Sequence, residues 1–91
     1  MAEVKLSARA RRIMEAGRLL YGDRWQSALS RASGISQSYL AMIASGERPV
    51  TDDVDGKVAH ALAREADRLR DVALKLDEIA LRILRNMEIG R

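Results

Sequence analysis

The 91-residue chain has no cysteine, no phenylalanine, one proline and one histidine, His60. Without thiols, disulfides and cysteine-ligated metals are excluded, and the chain gives no redox clue to its compartment. Trp25, Tyr21 and Tyr39 are the only aromatic residues. So few rings, among many aliphatic residues and a single proline, favour an all-helical fold over a sheet. No apolar run approaches the ~18 residues of a membrane span. The N-terminal stretch has basic residues but no apolar signal core, so a cytoplasmic protein without a membrane partner is expected. One histidine, no cysteine and no phosphate-cradling glycine loop leave nothing to assemble a reacting site. An enzyme is therefore not expected, nor a cofactor or a resident metal.

Charge is unevenly placed. Residues 1 to 50 carry eight Lys/Arg against four Asp/Glu, a net of +4, whereas residues 51 to 91 carry eight against nine, a net of −1. A basic half is what attraction to phosphates requires, and it also serves solubility. A chain this short gains little from its surface-to-volume ratio, so a second copy is a plausible source of added core.

The segment 7–20 reads as a first helix, with Ser7 as N-cap and Ile13, Met14, Gly17, Leu20 and Tyr21 near one face. Arg9, Arg11, Arg12 and Arg18 lie mostly off that face. Residues 1 to 6 show no clear periodicity and read as a frayed arm. Tyr21-Gly22 ends the helix, and Asp23 with Gln26 three residues on has the form of a capping box for a second helix reaching Ser33. That helix would bury Trp25, Ala28, Leu29 and Ala32. Gln26, in its first turn, is a cap partner, a donor to a phosphate held at the helix N-terminus, or both.

Residues 26–46, QSALSRASGISQSYLAMIASG, read as two short helices around a tight turn, and the rest of the chain is organised about them. Gly34 supplies the break and Ser36 the next N-cap. The following helix, about 36–45, sets Leu40 and Ile43 on one face and Gln37, Ser38, Ala41, Met42 and Ser45 on another. Small polar residues with one amide suit entry into a DNA groove. Gln37 can pair bidentately with adenine, Ser36 and Ser38 can donate to bases or phosphates, and Ala41 and Met42 can meet a thymine methyl. Met42 serves equally as a core side chain, and Tyr39 as a half-buried core ring.

These residues resemble the helix-turn-helix of the phage lambda repressor/Cro (XRE) family. Leu29, Ser30, Gly34, Ile35, Leu40 and Ile43 stand where that pattern has apolar, small, glycine and three further apolar residues. Gly46-Glu47-Arg48 resembles the family's exit from the recognition helix. The likeness covers about residues 24–51. Ser33 stands at a place usually apolar, and Pro49 comes one residue earlier than is common. The resemblance implies phosphate contacts for Tyr39 and Ser45, and a backbone contact for Arg48. It also implies a transcriptional repressor, with a phage or mobile-element setting by analogy.

Beyond Pro49, Thr51 or Asp52 caps a helix whose first turn gathers Asp52, Asp53 and Asp55, acids that suit the helix dipole better than a metal. Val54, Val58, Ala61 and Leu62 form its apolar stripe, and His60 reads as a surface residue. From Lys57 to Ile89 there is no glycine or proline, so helix can persist, with a bend possible near Arg64. Leu62, Leu69, Leu76 and Ile83 recur every seven residues, with Val72 and Ile79 three after the middle pair. Asp71–Lys75 and Glu78–Arg82 are spaced as supporting i,i+4 ion pairs.

The expected architecture is all-α: a compact helix-turn-helix domain of four to five helices over 1–66, and a long C-terminal dimerisation helix over 67–91. The dimer interface is expected at Leu69, Val72, Leu76, Ile79 and Ile83. The expected partners are double-stranded DNA, read as an inverted repeat, and a second copy. The competing expectation is a protein-interaction module, an antitoxin or adaptor, whose long helix binds a different chain.

Overall fold

The computed structural model describes residues 6–89. Apart from Leu6, which packs against the core, the N-terminal arm expected over 1–6 lies outside them, as do the last two residues. The described chain is all-helical: α1 Ala8–Tyr21, a single 3-10 turn Gly22–Arg24, α2 Trp25–Ser33, α3 Gln37–Ser45 and α4 Asp52–Ile89. The expected domain of four to five helices before a separate C-terminal helix is thus too many. Three short helices precede one long helix, and the first part of that long helix completes the domain. No helix breaker interrupts 57–89, so α4 runs through Arg64 as one 38-residue helix.

Local chemistry sets most boundaries. The Ser7 hydroxyl accepts from the Ala10 amide at 3.1 Å, and the Thr51 hydroxyl accepts from the Val54 amide at 3.2 Å. Each satisfies a donor that the first helical turn leaves without a partner. The expected Asp23–Gln26 capping box does not form. The 3-10 turn winds straight into α2, and Arg24, at φ −95° and ψ 36°, is not in the extended conformation from which a cap side chain reaches back.

The core joins Ala10 and Ile13 of α1, Trp25 and Leu29 of α2, Ile35 of the turn, Leu40 and Ile43 of α3, and Val50, Val54 and Val58 around the start of α4. Leu29, Leu40 and Ile43 are fully buried, and burying a side chain of this size stabilises the fold by roughly 1.5–3 kcal/mol. Ala28 and Ala32 are only half-buried, on the flank of α2. Gly17 lets α1 and α2 meet: a Cβ there would lie 2.5 Å from Cε3 of Trp25.

One polar clamp crosses the domain. The Arg9 guanidinium donates to Asp55 at 2.6 Å, to Asp52 and to the Val50 carbonyl at 3.1 Å, fastening α1 to the start of α4. The two carboxylates hold its pKa above the usual arginine value. Asp53 pairs with Lys57 at 3.1 Å. The acids at the start of α4 are therefore engaged with cations of the same chain.

Beyond Ala66, every residue of α4 through Glu88 is exposed. The last ties to the domain are Arg64, which donates to the Ala32 carbonyl at 2.8 Å, and the half-buried Glu65 and Ala66. Arg68 bonds Glu65 and keeps that carboxyl below its usual pKa. The i,i+4 pairs expected on the arm are replaced by i,i+3 pairs, Glu65–Arg68 and Asp67–Arg70, among the described residues. The result is a small domain with a projecting helix, 67 × 28 × 20 Å in extent.

Candidate nucleic-acid interface

The turn before α3 is fixed by three short-range features. Gly34 takes φ 78°, a left-handed conformation open to glycine at little cost, and its amide donates to the Ser30 carbonyl at 2.9 Å. Ser33, where the family pattern is usually apolar, donates its hydroxyl to the Leu29 carbonyl at 2.6 Å and accepts from the Ile35 amide at 3.2 Å. A polar side chain is thus satisfied within the turn. Ile35 then inserts into the core, and Ser36, extended at ψ 146°, accepts from the Tyr39 amide at 3.1 Å.

With α3 anchored this way, its helical period decides what faces out. Leu40 and Ile43 are buried, while Gln37, Ser38, Ala41 and Ser45 are exposed, with Ser36 exposed at the cap. Met42 is half-buried, between its two expected roles. Ser45 donates its hydroxyl to the Met42 carbonyl at 3.1 Å. The same carbonyl accepts from the amides of Glu47 at 2.9 Å and Arg48 at 3.2 Å, which curls the exit loop back on α3.

That curl creates a pair at the edge of the exposed face. The half-buried Tyr39 donates its hydroxyl to the Pro49 carbonyl at 3.4 Å, and the exposed Arg48 guanidinium lies 6.0 Å from the centre of its ring. The sequence singled out both residues but not their pairing, because the anchor is a backbone carbonyl ten residues from Tyr39. Gln26 is half-buried in the first turn of α2, and its side chain has no hydrogen bond to another described residue. Of the residues assigned to phosphates, Tyr39 and Arg48 are brought together, and Ser45 lies on the outer face of α3.

Among the described residues of the basic half, Arg11, Arg12, Arg18, Arg24, Arg31 and Arg48 are exposed, against the exposed acids Glu15, Asp23 and Glu47. Arg9 is neutralised by its clamp. His60 is exposed on α4, and no helix of the described residues is long and apolar enough to cross a membrane. The five residues assigned to the dimer interface, Leu69, Val72, Leu76, Ile79 and Ile83, are all exposed on the arm.

No protein-family model matches this chain, and no curated protein or solved structure matches it.

Proposed function

We propose that this protein is a sequence-specific DNA-binding regulator of the lambda repressor/Cro-like kind, a cytoplasmic homodimer that represses by covering a promoter. The observation that carries this reading is the exposure of Gln37, on the first residue of α3, while Leu40 and Ile43 seat the opposite side of that helix in the core. A helix held this way can enter a major groove, with Gln37 toward adenine, Ser36 and Ser38 toward bases or phosphates, and Ala41 toward a thymine methyl. Met42, half-buried, has only part of its side chain to offer the same groove. Gln26, Tyr39, Ser45 and Arg48 would hold the phosphates on either side, and the exposed arginines would add salt-sensitive attraction.

Pairing through the arm would set two recognition helices about 34 Å apart, one turn of DNA, and make the operator an inverted repeat. Selection of bound duplexes from random DNA at a fixed salt concentration tests this. A symmetric consensus is expected; no enrichment would overturn the reading, and an asymmetric consensus would overturn the paired arrangement.

The exposed apolar arm favours a second reading, an interaction module of the antitoxin or adaptor kind whose arm binds a different protein. The double substitution Gln37→Ala, Arg48→Ala separates the two, since it abolishes DNA retention only under the first.

A further inference from the structure

Along the arm, Leu69, Val72, Leu74, Leu76, Ile79, Leu81, Ile83, Leu84 and Met87 are between 37% and 63% exposed, although the helix is continuous. A contiguous apolar surface of this kind marks an interaction face. The order of residues around the helix says what fits. Each residue turns by ~100°, so an apolar stripe runs from Val72 and Ile79 on one margin, through Leu69 and Leu76, to Ala73 and Ala80 on the other. No charged residue interrupts it.

The two margins differ in charge. Beyond Val72 and Ile79 stand Arg68, Lys75 and Arg82, seven residues apart and all cationic. Beyond the alanines the same seven-residue spacing gives Arg70, Asp77 and Leu84, which carry no net charge. If two arms pair antiparallel, like margins meet and each cationic row faces another cationic row. If they pair parallel and in register, the cationic row of one arm lies over the alanines of its partner, within reach of an acid. The long Lys75 and Arg82 stems can cross an alanine surface and leave their charges in water. Arg68 is already held by Glu65, so Lys75 and Arg82 decide the matter. Each like-charge contact is weak, but a row of them sets orientation between alternatives that bury similar apolar area.

We propose that the stripe is covered by the arm of a second copy lying parallel and in register, so that both domains sit at the same end of the paired helices. This deepens the homodimer reading above and rests on it. It also supplies what an operator one DNA turn long requires. With the molecule 67 Å long, antiparallel arms would hold the two α3 helices at opposite ends of the assembly.

The absence of native cysteine makes a clean test. The Ile83→Cys variant, oxidised gently, is expected to yield a disulfide-linked dimer in most of the chain, because in-register seam positions bring the two Cα atoms into the ~4.4–6.8 Å range that a disulfide needs. Leu69→Cys repeats the test at the other end of the arm, where antiparallel arms would hold the two copies far apart, in case one substitution disturbs packing. Light scattering on the same samples fixes the mass. Dimeric mass with neither variant linked would overturn the parallel arrangement and leave the homodimer standing. Monomeric mass would overturn both, and DNA retention measured alongside would show whether the regulator reading falls with them.

Discussion

Leu40 and Leu76 hold equivalent places in two parts of one molecule, each on the apolar side of a helix with the right period. Leu40 has no exposed surface, whereas Leu76 is 60% exposed. Helical periodicity identifies which residues share a face, but the neighbouring elements decide whether that face is covered. Around α3 those neighbours are α1 and α2. Around the arm, the described chain supplies none. The domain therefore covers the apolar face of α3 from within, whereas the apolar face of the arm stays open among the described residues.

Paired substitutions break or sharpen that contrast. The largest effect is expected for Leu40→Ala, about 2–5 kcal/mol of lost stability from the removed contacts and the cavity left behind. Leu76→Ala should change urea unfolding of the dilute chain by no more than about 0.5 kcal/mol, as for an exposed site, while lowering the mass seen at high concentration. Equal losses at the two positions would erase the distinction between domain and arm.

A finer pair compares two glycines within helices. Gly17→Ala drives a methyl group into the Trp25 ring and should destabilise by roughly 1–3 kcal/mol, against helix propensity. At Gly56 an added Cβ meets nothing within 4 Å, so Gly56→Ala should stabilise by about 0.5–1 kcal/mol. Thermal melts of both variants read the sign directly. A gain at Gly17 would mean that α1 and α2 do not approach through that residue.

What the sequence revealed was short in range. The Ser7, Ser36 and Thr51 caps, the Gly34 turn and the inward Leu40 and Ile43 depend on neighbours within a few residues, and periodicity and side-chain chemistry expose them. What it concealed depends on approach in space. Arg9 meets Asp55 across 46 positions, Gly17 meets Trp25 between helices, and Tyr39 leans on a backbone carbonyl that no residue type announces. The Asp23–Gln26 box failed for a related reason: two consecutive helices can be joined by a 3-10 turn with no extended cap between them. Of the residues assigned to bases, Ser36, Gln37, Ser38 and Ala41 stand exposed, while the partial burial of Met42 was set by the packing of α3.

The most direct test of the central claim is a titration of Gln37→Ala against the duplex selected by the native chain and against a scrambled duplex, at one salt concentration. If Gln37 reads a base, the variant loses about 5- to 150-fold affinity for the selected duplex, the equivalent of roughly 1–3 kcal/mol, and binds the scrambled one as before. An unchanged preference for the selected duplex would contradict the account.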